Sequence, residues 1–72
     1  MPIRDRMALL TEGLDRIQDV ARFLRLSRSQ IYALMHRGAL PYVRIGRSRR
    51  VPHRAVVELA ERNMVVAGDS EQ

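Results

Sequence analysis

The stretch DRIQDVARFLRLSRSQIYALMHR, residues 15–37, decides the fold. Ile17, Val20, Ala21 and Leu24 fall at i, i+3, i+4 and i+7, the spacing of one apolar helix face. Asp15 followed by Gln18 has the form of a capping box, so a helix is predicted over residues 16–25. Arg25-Leu26-Ser27 leaves room only for a turn, and Ser27 with Gln30 repeats the capping pattern at the head of a second helix. That helix is predicted over residues 28–37, with Ile31, Leu34 and Met35 turned inward and Gly38 supplying the left-handed residue that ends it. Two helices joined this closely form a helix-turn-helix.

Downstream, Val43 and Ile45 alternate with Arg44, Gly46-Arg47-Ser48-Arg49 makes a polar tip, and Arg50-Val51 alternates back. This reads as a short hairpin with a basic end. Pro52 can open a third helix, because its missing N–H is not needed in a first turn, and Val56, Leu59 and Ala60 give that helix an inward face to about residue 63. The expected fold is therefore mainly α with a small β-hairpin, in the order helix, turn, helix, hairpin, helix. Residues 1–14, open to a loose arm or an extra short element against the core, are expected to form a partly ordered N-terminal arm, residues 15–63 the folded domain, and residues 64–72 a C-terminal tail whose polar end, Gly68 to Gln72, is frayed.

Charge is segregated along the chain. No acidic residue occurs between Asp19 and Glu58, while that stretch carries Arg22, Arg25, Arg28, Arg37, Arg44, Arg47, Arg49, Arg50 and Arg54, nine of the 13 basic residues. The net charge of +5 therefore understates the local field. Like charges gathered on one small domain repel each other unless a partner neutralises them, which points to a polyanion. Every basic residue is Arg, which suits forked contacts to phosphate or guanine and is also what a GC-rich genome yields.

A chain of 72 residues has room for one compact domain. Without cysteine, and with only His36 and His53, neither a disulfide nor a structural zinc cage is expected, so no metal and no cofactor is anticipated. The longest apolar runs, Met7 to Leu10 and Met64 to Ala67, fall far short of the roughly 18 residues a bilayer span requires. No membrane partner is expected, and a cytoplasmic location follows by default. Catalysis is not expected either. There is no cysteine nucleophile, no carboxylate pair in the basic middle, no glycine-rich phosphate loop followed by Lys, and no evident carboxylate partner for either histidine.

The second helix of a helix-turn-helix enters the major groove of double-stranded DNA, with its N-terminal residues nearest the base edges. Here those residues are Arg28 and Ser29, then Tyr32 and His36. Arg28 suits either guanine or a phosphate, and Ser29 either a weaker base contact or the first helical turn. Tyr32 suits a phosphate, a thymine methyl, or a half-buried place beside the turn. His36 is either a reader or a solvated residue favourable to the helix dipole, and Arg37 suits the DNA backbone. In the hairpin, Arg47, Ser48, Arg49 and Arg50 form a wing suited to a narrow, phosphate-lined minor groove, supported by Arg44. A single module of this kind buries about 600–1,000 Å² and reads DNA weakly, so cooperative self-association or a larger partner is expected. The apolar flanks Met7–Leu10 and Met64–Val66 are the candidate surfaces for it.

The run Val20 to Tyr32, then Gly38-Ala39-Leu40-Pro41, Val43-Arg44-Ile45-Gly46-Arg47 and Val51-Pro52, resembles the excisionase family of MerR-like winged helix-turn-helix proteins. The resemblance covers about residues 15–62, and Arg25 stands where that family often has Gly, so the turn either avoids a positive φ or carries strain. Members of that family include phage excisionases, also called recombination directionality factors, and small transcription regulators, and the Arg-only bias suits an actinobacterial host. The resemblance implies binding to attachment-site repeats, DNA bending, cooperative assembly, and partnership with a tyrosine integrase that is steered toward excision in the bacterial nucleoid. Within the same fold a small MerR-like transcription regulator is the alternative. From another class, an antitoxin-like protein-interaction adaptor would place the basic face against an acidic protein.

Overall fold

A computed structural model describes residues 3–66. The elements run α1 (Ile3–Leu10), β1 (Leu14–Arg16), α2 (Ile17–Leu24), α3 (Arg28–His36), β2 (Val43–Ile45), β3 (Ser48–Pro52) and α4 (His53–Arg62). The architecture is that of a winged helix-turn-helix: mainly helical, with a small antiparallel sheet in the order β1-β3-β2. The expected frayed end at Gly68 to Gln72 lies outside the described residues.

The helix-turn-helix forms as its sequence requires. Ser27 Oγ accepts from the Gln30 backbone N–H at 3.2 Å, and Gln30 Oε1 accepts from the Ser27 N–H at 2.9 Å, a complete capping box that fixes where α3 begins. At its other end Gly38 takes φ +79°, its N–H donates to Met35 C=O at 3.1 Å, and Ala39 N–H donates to Leu34 C=O at 2.9 Å. These two bonds satisfy carbonyls that the helix end leaves open. Between the helices Arg25 adopts φ 57°, ψ 42°, and Leu26 N–H reaches back to Ala21 C=O at 3.0 Å. The turn therefore keeps the left-handed geometry that glycine accepts without cost and places a side chain there instead. For an L-residue that conformation costs about 1–2 kcal/mol.

Three features depart from the sequence reading. The segment before α2, expected as a partly ordered arm, is helical over Ile3–Leu10 and puts Leu9 into the core, with α1 packed on α4. A third strand, β1, precedes α2 and pairs with β3: Leu14 with Pro52, Asp15 with Val51, Arg16 with Arg50. Asp15 is consequently a strand residue, and the N-cap of α2 is Arg16, whose backbone N–H is accepted by Asp19 at 3.3 Å. Asp15 is occupied elsewhere, since its Oδ2 lies 2.8 Å from His53 Nδ1. The expectation that His53 lacks a carboxylate partner is thus corrected; the partner is 38 residues away in sequence, beyond the reach of local patterns.

The core is one cluster. Val20 from α2, Ile31 and Met35 from α3, Leu40, Val51 from β3, Ala55, Val56 and Leu59 from α4, and Leu9 from α1 are buried, with Ile17, Ala21, Leu24, Leu26 and Leu34 packed around them. Ala60, expected to face inward, is exposed, and Ile45 is 61% exposed near the hairpin's end. The hairpin extends past the body of the domain, so its alternation continues where no core remains to cover it.

Candidate nucleic-acid interface

Burial divides α3 into two faces. Ile31 and Met35 are buried and Leu34 half-buried, while Arg28, Ser29, Tyr32, Ala33 and His36 are exposed. Arg28, Tyr32 and His36 lie four residues apart and so form one outward stripe. The stripe is presented because the opposite side is locked into the core.

The wing is a two-residue hairpin. Ile45 pairs with Ser48, leaving Gly46 and Arg47 as the turn, and Gly46 has φ +62°. A positive φ at the first central position belongs to the turn whose twist matches the flanking strands, and there glycine is the residue without strain. The turn is tighter than the four-residue tip expected from sequence, because Ser48 and Arg49 already belong to β3. Arg47 is left at the apex.

Helix and wing meet around one concave surface of about 520 Å³. Arg28 and Tyr32 line it from α3, and Arg47, Ser48, Arg49 and Arg50 line it from the wing. The Arg49 guanidinium carbon lies 5.5 Å from the centroid of the Tyr32 ring and 5.0 Å from that of Tyr42. Tyr32 is 44% exposed, with an arginine of the wing beside its ring. Ser29, His36 and Arg44 are exposed but do not line this concavity, and Arg44 stands opposite Arg49 in the β2–β3 ladder. Arg37 is not brought to it. It caps α3 and lines a different groove, of about 410 Å³, with Leu24, Leu26 and Leu34.

Three contributors escaped the sequence reading. Arg16 and Gln18, at the start of α2, line the concavity beside Arg50, and Tyr42 closes the stack on Arg49. Arg16 arrives there because β1 pairs it with Arg50, a link made across the sheet and invisible locally. Tyr42 carried one available signal, its place immediately before β2, where a ring can reach the neighbouring strand of the hairpin.

The electrostatics favour an anion. Arg16 and Arg22 share Asp19 at 3.3 and 3.9 Å, and Arg54 meets Glu58 at 3.4 Å. Among the described residues, no carboxylate lies within 4.0 Å of Arg28, Arg44, Arg47, Arg49 or Arg50. Arg44 faces Arg49 and Arg16 faces Arg50 directly across the strands, and like charges so placed are destabilising. The Arg16 hydrogen bond, aided by the nearby charges of Arg16 and Arg22, holds the Asp19 carboxyl below its ordinary range. Elsewhere the described residues hold no group of three His, Cys, Asp or Glu side chains suited to a metal ion. His53 serves the fold: Asp15 holds its ring at 2.8 Å and Phe23 meets it edge-on at 5.7 Å. No helix among the described residues is long and apolar enough to cross a membrane.

The chain is similar in sequence to known proteins. Two Mycobacterium tuberculosis proteins, "Putative DNA-binding protein MT0521" of strain CDC 1551 and "Putative DNA-binding protein Rv0500A" of strain H37Rv, are each 42% identical over 52 residues, covering 72% of this chain and 67% of theirs. A protein of Saccharopolyspora erythraea named "Probable excisionase" is 41% identical over 46 residues, 64% of this chain and 47% of its own length. No solved structure matches the chain. The helix-turn-helix domain family matches residues 16–64, the span from the N-cap of α2 to just beyond α4, and the chain belongs to that family.

Proposed function

We propose that the protein is a sequence-specific, non-catalytic binder of double-stranded DNA that acts as an excisionase, bending attachment-site DNA and directing a tyrosine integrase toward excision. The observation that carries the DNA-binding part is the shared concavity: Tyr32 of α3 and Arg47 of the wing line the same surface, with Arg28, Arg49 and Arg50 among them. A helix fits the roughly 12 Å major groove while a basic hairpin tip follows the adjacent backbone or minor groove.

In this reading Arg28 and Ser29 approach base edges, Tyr32 and His36 extend that contact, and Arg44, Arg47, Ser48, Arg49 and Arg50 hold the backbone, joined by Arg16. Arg37, facing another groove, is at most a flanking backbone contact. The excisionase role draws support from the similarity to the Saccharopolyspora erythraea protein of that name and from the small module, which needs neighbouring copies or an integrase to build specificity. Exposed Met7, Leu10, Met64 and Val65 suit such contacts between copies. The working location is the cytoplasm of a bacterial host.

A purified recombination reaction with the cognate integrase tests the role. The protein should stimulate excision and depress integration, and a permutation assay should show bent DNA in the complex. No effect on recombination, with repression at a promoter instead, would assign the chain to transcription regulation.

A further inference from the structure

We propose that Tyr42 is a positioning residue for DNA binding: it holds the Arg49 guanidinium against Tyr32 and thereby sets the angle of the wing to α3. The proposal rests on the DNA-binding reading above.

The wing needs such a fixture. Within β3, Arg50 has neighbours on both sides, Arg16 and Val43, but Ser48 and Arg49 pair only with Ile45 and Arg44. The tip is thus a two-stranded ribbon beyond the last rung of the three-stranded sheet. Such ribbons are marginal in water on their own. The Arg44–Arg49 opposition loosens it further, because both side chains are cationic and directly across from one another.

The stack opposes this. Arg49 lies 5.5 Å from the Tyr32 centroid and 5.0 Å from that of Tyr42, both inside the roughly 6 Å range of a cation–π contact. The three residues come from three places: Tyr32 from α3, Tyr42 from the segment entering β2, and Arg49 from β3. Through Arg49 the wing is joined to the recognition helix by side chains alone, outside the hydrogen-bonded ladder. Tyr42 itself does not line the concavity, so removing its ring takes no lining group away. Tyr42 is 37% exposed, so Tyr42→Phe, which removes only the hydroxyl, separates an effect through Arg49 and the wing from a direct contact of that hydroxyl.

The test compares Tyr42→Leu, Tyr42→Phe and Arg49→Lys with the parent chain. Binding to a labelled duplex is followed against salt, and amide hydrogen exchange is followed in the free proteins. Tyr42→Leu should bind roughly three- to fivefold more weakly with an unchanged salt slope, since no phosphate contact is lost. Its amides from Arg44 to Arg49 should exchange faster while those of α4 keep the parent's protection, which shows that the domain is folded. Tyr42→Phe, which keeps the ring, should restore both. Arg49→Lys, which keeps the charge but not the planar guanidinium, should loosen the same amides with the slope unchanged. Parent-like binding and exchange in Tyr42→Leu would overturn the proposal, as would failure of Tyr42→Phe to rescue. A parent that binds no duplex would overturn the DNA reading and the clamp's part in binding; faster wing exchange in Tyr42→Leu would still establish the clamp itself.

Discussion

Arg44 and Arg49 stand directly opposite each other across the β2–β3 ladder. Two guanidinium groups in that relation destabilise a hairpin, by the same few tenths to about 1 kcal/mol that an opposite-charge pair would contribute. The free domain uses Arg49 in its stack with Tyr32 and Tyr42 but gives the opposed Arg44 no ion pair among the described residues, whereas a polyanion lying along the wing turns both charges into contacts. Arg44→Glu should therefore stabilise the free protein by about 0.5 kcal/mol in urea titrations while weakening duplex binding. Destabilisation together with unchanged binding would show that the opposed charges serve no ligand.

Arg47 and Arg28 are expected to fail differently. Arg47, at the apex of the turn, meets no carboxylate among the described residues, so Arg47→Ala should weaken binding to every sequence and flatten the logarithmic salt dependence by about one unit. Arg28, at the head of α3, should instead discriminate. Arg28→Ala is expected to cost about 1–3 kcal/mol at one base position and much less elsewhere, measured by competition among single-site duplex variants. Uniform loss would make Arg28 a backbone contact.

Arg25 holds the turn at φ 57° with a side chain that gains no ion pair among the described residues. Glycine adopts that geometry without the Cβ clash, so Arg25→Gly should raise stability by about 1 kcal/mol, seen as a Tm increase of several degrees for a domain this small. A lower Tm would mean that the arginine makes up the backbone cost through contacts of its own.

Acid should weaken the fold in part through Asp19. Its carboxyl is held below the usual value of 3.8 chiefly by the hydrogen bond from Arg16. A group whose folded value lies below its unfolded one stabilises the protein above the unfolded value and loses that contribution as pH falls through the folded one. Asp19→Asn should flatten that part of the acid limb in a plot of urea midpoint against pH. An unaltered limb would place the acid sensitivity elsewhere.

The elements that were legible in the sequence are those whose causes are local. Ser27 and Gln30 cap α3, Gly38 ends it, and Ile31 and Met35 face inward as their spacing requires. The wing was legible too, from alternation around Gly46, and so was the gathering of arginines on it. What could not be read depends on pairing between distant residues. β1 is three residues long and exists because β3 offers it an edge, so Asp15 looked like a helix cap until Val51 and His53 claimed it. α1 gathers most of its apolar residues in the consecutive run Met7 to Leu10, which does not mark out one buried face, and Leu9 is its one described core residue. Of the candidate contacts, Arg37, expected to hold the DNA backbone, lies at the end of α3 in the groove lined by Leu24, Leu26 and Leu34. Arg16 and Tyr42 were missed because their partners, Arg50 and Arg49, lie across strands.

The central claim is that α3 and the wing grip one duplex from the same side. Backbone amide NMR of the labelled protein, titrated with a duplex carrying its preferred site, tests this most directly. Resonances from Arg28 to His36 and from Arg44 to Arg50 should shift together along one binding curve, while Leu24, Leu59, Ala60 and Asn63 around the far groove stay in place. Shifts confined to only one of those two segments, or centred on the far groove, would contradict it.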